Sequence, residues 1–317
     1  MANQKHEAQA DLASAASARS LDAEMWWVHS CDCSTDGLVS RRFGLVFDEM
    51  TNLQLDCETR LSAESSLLEI FGCSSADLQH FLADPRHEAY FNEHWNSLPE
   101  YDRFLYERAC EVLGIPRLPT RLCWFHCTRV PEGTTFDAGI LPLGQVRPLL
   151  QRALLDSLDD SSAKREVEQA FARDGGLAFH FGNKLMDSLH WGPYAILVRE
   201  VASYANSLGQ HDYLAMPEII EDLCEEVELA SGLNLLPVFQ ERWRPAIVKF
   251  VAAAENSAEA AVQVALRYLQ SCVREGAPGH GAVWCFDGEN TPVPAGRILK
   301  VEFVRTTTYR LALATVV

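Results

Sequence analysis

Four short apolar runs, set apart by long stretches of helical periodicity, constrain this chain more than any other feature. They are RLCWFH (residues 121–126), PYAILV (193–198), AVWCF (282–286) and LKVEF (299–303). The first is rich in aromatics and bounded by turn-forming residues, as a strand is. The third is continuously apolar, whereas the fourth alternates apolar and charged residues and so keeps one face wet. Helical patterns fill the gaps. QVRPLLQRALLDSL returns to helical spacing after the first run, and Met216 to Val273 reads as helical almost throughout. In that stretch Ile219, Ile220, Leu223 and Val227 fall on one face, and Val262, Ala265, Leu266 and Leu269 do so again. Asn256 ahead of Glu259 marks a helix start and Gly276 its end.

Upstream, SLPEYDRFLYERACEVLG sets Ser97 three residues before Glu100, places Pro99 in the first turn and stops at Gly114, so it predicts a helix. IPRLPT (115–120) then reads as a linker, and FHFGNKLMDSLHWG, which carries His180 and His190, as a connection before the second strand. Between Trp26 and Leu55, short runs such as FGLVF suggest a few strands or an extended segment. The expected organisation is a polar, Ala/Ser-rich tail over 1–25, an N-terminal and mainly helical α+β region over 26–114, and an α+β domain over 115–317. A helical insertion is expected at 216–275.

Composition narrows the function classes. The chain has 27 basic against 44 acidic residues, a net charge of -17, which disfavours generic binding to nucleic acid or an anionic membrane. No window approaches the ~18 uninterrupted apolar residues of a membrane helix. The first residues match neither a secretory signal nor an acid-poor transit peptide, so a cytoplasmic protein is expected. The ten cysteines are scattered as free buried thiols are, and the CxC of Cys31 and Cys33 and the CxxxC of Cys123 and Cys127 are not zinc knuckles. No GxGxxG or phosphate-binding loop is present, and His126, His180, His190 and His280 form no HxxxH or HExxH pair, so no metal site is expected.

The densest mixture of residue types is TRLCWFHCTRVPEGTTFDAGILPL, Thr120 to Leu143. Taken alone, a His between Phe125 and Cys127 reads as a hydrogen-bonded core residue, and Tyr194 in its apolar run as a core aromatic. Joint occurrence changes that reading. FHCTRVPEGTTFDAGILPL resembles the first motif of the ADP-ribosyltransferase fold in its poly-ADP-ribose polymerase and diphtheria-toxin branch. GPYAILVREVASYANS resembles the second motif, a Gly-x-Tyr strand followed by a helix with small residues. AVWCFDGENTPVPAGRILKVEF resembles the third, and the three occur in the family's order over roughly residues 120 to 305.

That resemblance implies a split antiparallel sheet and NAD as substrate. It implies that His126 holds a ribose of NAD, that main-chain groups of Cys127 clamp the nicotinamide amide with Thr128 and Arg129 beside them, and that Tyr194 stacks on the ring. Cys127 departs from the family's Gly. The third motif departs further, because GHGAVW (279–284) has His280 but no carboxylate where the family keeps a Glu. Cleaving the N-glycosidic bond passes through an oxocarbenium-like state that a carboxylate stabilises. Glu275 and Glu289 are the nearest in sequence, so Glu275, Glu289 and His280 are the candidate catalytic groups. The expectation is mono-ADP-ribosyl transfer, a glycosyltransferase reaction, to an unknown protein or small-molecule acceptor. The alternative is a catalytically silent binding protein of the same fold.

Overall fold

The computed structural model describes residues 52–94, 98–173 and 176–305. The tail expected over 1–25 and the runs expected between Trp26 and Thr51 lie outside the described residues, as do Cys31 and Cys33. The chain enters on β1 (Gln54–Leu55) and continues into helices α1 (Arg60–Phe71), α2 (Ser75–Leu82), α3 (Pro85–His94) and α4 (Leu98–Leu113). Local chemistry sets these ends. Thr59 with Ser62, and Ser74 with Asp77, form reciprocal capping boxes.

The first long strand, β2 (Arg121–Pro131), follows the linker. Helices α5 (Leu143–Asp156), α6 (Ser161–Ala172) and α7 (Phe179–Met186) lead to β3 (Tyr194–Ile196), and α8 (Glu218–Ser231) and α9 (Leu236–Arg242) lead to β4 (Trp243–Ala253). The chain closes with α10 (Ala258–Glu275), β5 (Cys285–Asp287) and β6 (Ile298–Phe303). The four expected strands are therefore present, though the third starts later, after a 3-10 turn at His280–Ala282. The connection through FHFGNKLMDSLHWG contains a helix, α7.

The expected helical insertion over 216–275 requires correction. Its middle is β4, a strand that pairs with β2 along all eleven residues, from Arg121↔Ala253 to Pro131↔Trp243. Ala246, Ile247 and Val248 are buried in succession, so no polar alternation betrays the strand, and its Ala-rich end suits a helix equally well.

The strands form one sheet in the order β5-β3-β2-β4-β6, with every neighbouring pair antiparallel, and β1 lies parallel to the start of β2. Alternation along the strands gives two faces. Leu122 and Trp124 of β2, with Val248 and Phe250 of β4, share the main core with the buried face of α10 and with Leu67, Ile70, Leu78, Phe81 and Leu105 of the N-terminal helices. Residues 52–114 thus build the same core as the rest, and 114/115 is not a packing boundary. Cys123, Phe125 and Ile247 face the other way, under Ala202 and Leu214. A separate core joins α5 to α9 around Phe171, Phe181, Leu223, Phe239 and Trp243. Among the described residues no helix is long and apolar enough to cross a membrane, and the eight described cysteines are free.

Candidate functional site

The site begins where β2 loses a neighbour. Toward β3 its ladder consists of a single pair, Phe125↔Ile196, so among the described strands Cys127 to Pro131 pair only with β4. Strand main chain that leaves a ladder exposes donors and acceptors that need partners. At that point the side chain of His126 crosses the gap, its Nδ1 lying 2.7 Å from the carbonyl oxygen of Tyr194. A carbonyl only accepts, so Nδ1 carries the proton and donates, and Nε2 is left as an acceptor whenever the ring is neutral. Burial lowers the pKa of His126 and so favours the neutral ring, opposed in part by this same bond, which favours the charged one.

The single β2–β3 pair also fixes the side-chain directions. It sets His126 opposite Ala195 and Cys127 opposite Tyr194, so strand alternation sends the imidazole and the phenol ring to opposite faces of the sheet. His126 and Tyr194 therefore do not face each other across a cleft. They flank the open edge of β2, one from each side. The half-buried Thr128 shares the face of His126 and stands opposite Ala246. Half-buried Cys127, whose thiol burial pushes up to about 12, supplies the edge itself and is no nucleophile.

Arg129 behaves differently from the expectation. It is buried, and its guanidinium donates to the carbonyls of Trp243 (3.0 Å), Leu214 (3.0 Å), Ala215 (3.3 Å) and Gln240. Four such bonds occupy nearly all the donors of the fork. Arg129 is thus a clamp that holds the 212–215 turn and the end of α9 against β2, not a group free for a dinucleotide.

The clamped turn carries residues that the sequence reading passed over. Asp212 Oδ1 accepts from the amides of Leu214 (3.2 Å) and Ala215 (3.0 Å), the local turn that HDYLAMPE encodes. His211 Nε2 donates to Met216 O (2.7 Å), and the Tyr213 hydroxyl donates to Glu218 Oε1 (3.1 Å). Lys184 pairs with both Glu218 (2.9 Å) and Asp222 (2.8 Å). Burial works against the charge of Glu218, but Lys184, His211 and Tyr213 together outweigh it and the carboxyl sits below its ordinary value. Burial pushes Asp212 up despite two amide donors. Tyr213 lies within electrostatic reach of Tyr194 and Cys285, and Cys127 within reach of Asp212 and Arg199. The polar signal missed in the sequence was this Asp and Glu pair bracketing Tyr213, which reads locally as a turn before a helix.

The catalytic candidates are not brought together. Glu275 ends α10 and pairs with its neighbour Arg274, and exposed His280 opens the next turn. Both precede β5, on the side of Leu197, whose amide bonds to Trp284 O (3.0 Å). Glu289 follows β5 in an exposed turn whose Asn290 and Gly288 amides bond to Gly192 O (2.8 Å) and Pro193 O (2.9 Å). Only Glu289 is thus carried to the Tyr194 end. Within GHGAVW, Gly281 and Ala282 are both closed in: Ala282 is buried, and a Cβ on Gly281 would lie 2.4 Å from Arg267 Cγ.

On the His126 face, the loop after β2 docks on the β5–β6 connection through reciprocal bonds between Ile140 and Val293, 2.9 Å each. Gly139 is required there. Its φ is +85°, and a Cβ would meet Val293 O at 2.1 Å.

Compared with protein-family models, curated proteins and solved structures, the chain matches none.

Proposed function

We propose that this chain is an ADP-ribosyltransferase-like protein that binds NAD at the open edge of β2. The observation that carries the reading is the His126 to Tyr194 bond, which spans the point where the β2–β3 ladder ends and leaves Nε2 as an acceptor beside main chain that, among the described strands, pairs only with β4. In this reading Nε2 accepts from a ribose hydroxyl, the main chain of Cys127 meets the nicotinamide amide, and the Tyr194 ring covers nicotinamide from the opposite face. Thr128 lines the His126 side. Arg129 holds the surrounding turn in place and makes no contact with the ligand.

A second reading rests on a specific observation. No carboxylate stands at Gly281 or Ala282, and Arg267 fills the space beside Gly281. Glu289 is the remaining candidate to stabilise positive charge at the ribose, with transfer of a single ADP-ribose to an acceptor. Without such a group the fold is a silent NAD-binding protein.

Calorimetric titration with NAD and measurement of nicotinamide release, for the native chain, His126→Ala and Glu289→Gln, test both readings. Binding that is lost in His126→Ala supports the site, and release that falls in Glu289→Gln supports transfer. Binding without release under any condition leaves the silent protein. Absence of binding to the folded native chain refutes both.

A further inference from the structure

Within the core that the N-terminal helices share with the rest of the molecule lies a buried cation. Arg267 of α10 is 4% exposed, and its guanidinium carbon lies 4.0 Å from the ring centre of Tyr101 and 4.7 Å from that of Phe91. Its Nε is 3.6 Å from Asp102 Oδ1, close enough to attract but too long for a hydrogen bond. Among the described residues Arg267 Nε, Asp102 Oδ1 and the hydroxyl of fully buried Tyr101 have no hydrogen-bond partner, while Arg267 Nη1 donates to Gln270 Oε1 (3.4 Å). A native interior rarely leaves three such atoms unpaired in one place. The Arg267 side chain also runs against Gly281, in the turn that leads into β5 and, through β5, to the Tyr194 strand.

We infer that Arg267 is a conformational latch: ionised Asp102 holds its side chain against Gly281, and protonation of Asp102 on mild acidification releases it and loosens the 279–284 turn. The charged and titratable groups about the pair are few. From α10 they are Arg274, which lies 4.5 Å over Phe91, and Glu275, its partner. From α3 there is His87, buried and edge-on to Phe104, and on α4 itself Tyr101.

Burial pushes the Asp102 carboxyl up to about 6, with Arg267 pulling the other way. If Arg267 swings out, that pull is lost and the carboxyl binds its proton more tightly. The open form therefore takes up protons, and opening grows more favourable as pH falls toward about 6 and levels off below it. The latch stands independently of any NAD site.

Hydrogen exchange of the Ala282 and Val283 amides, which bond to Gly279 O (3.0 Å) and His280 O (3.1 Å), reads the turn directly. Protection, corrected for the intrinsic chemical rate, is expected to be about tenfold lower near pH 5 than near pH 7.5, one pKa unit of differential binding. Asp102→Asn is expected to show the low value at both. Equal protection at both pH values in the native chain, or a pH dependence that survives Asp102→Asn, overturns the latch. Should Asp102→Asn not fold, a carbon-13 carboxyl titration of the native chain decides: an Asp102 that titrates near 6 supports it, and one that titrates near 4 refutes it.

Discussion

Replacing Arg129 with Met separates a structural clamp from a ligand-binding cation. The substitution keeps most of the buried volume but removes the donors for four carbonyls, those of Trp243, Leu214, Ala215 and Gln240. Bonds from a charged donor are worth roughly 1.5 to 3 kcal/mol each, but the variant no longer bears the desolvation of a buried guanidinium, and some carbonyls will find water. Truncating one partner of a buried charged network typically costs about 3 to 5 kcal/mol, and that is the expected loss here. For a folded unit of this size each kcal/mol moves the midpoint by about 2 to 4 °C, so a fall of ~10 °C is expected in a thermal melt followed by circular dichroism. Exchange should rise first in the 212–215 turn. A melting temperature within ~2 °C of the native value would refute the clamp. If NAD binding were lost at the same time, the guanidinium would be returned to the site.

His126→Ala removes one neutral bond to a carbonyl and should cost only about 1 kcal/mol in a melt while abolishing NAD binding; a loss above ~3 kcal/mol would make His126 a core residue. Gly139→Ala adds a methyl at +85° φ that meets Val293 O at 2.1 Å, so urea unfolding should show a loss of at least ~2 kcal/mol; a neutral result would mean that this docking is not rigid. Glu58 is held at about 2, below its ordinary 4.5, chiefly by hydrogen bonds from Lys249 and Lys300. Its folded-state pKa is depressed, so its contribution is present above about pH 4.5 and is lost as pH falls toward 2, and solvent screening of this surface pair holds it to about 1 kcal/mol. Lys249→Met should flatten that acid limb of a stability-versus-pH curve, and an unchanged limb would place the dependence elsewhere.

Much of the secondary structure is legible in local sequence because its causes are local. The helix ending at Gly114, the helix running from Ala258 to a left-handed Gly276, and the strands at RLCWFH and LKVEF follow from capping, periodicity and alternation within a few residues. β4 is the instructive failure. A central strand buried on both faces loses the alternation that identifies strands, and its Ala-rich end leaves local preference undecided.

The candidate site divides in the same way. The sequence by itself brings His126, Cys127, Thr128 and Arg129 onto one strand and puts Tyr194 on another, because adjacency along the chain needs no fold. Only tertiary structure decides that β2 loses its β3 partner after Phe125, that His126 and Tyr194 stand on opposite faces of that edge, and that Arg129 is occupied by four carbonyls from residues 85 to 114 positions away. It likewise brings both Asp102 and Gly281 against Arg267. A side chain's role depends on which partners reach it and on how much water they exclude, and partners so distant in sequence leave no periodic mark on the residues between them.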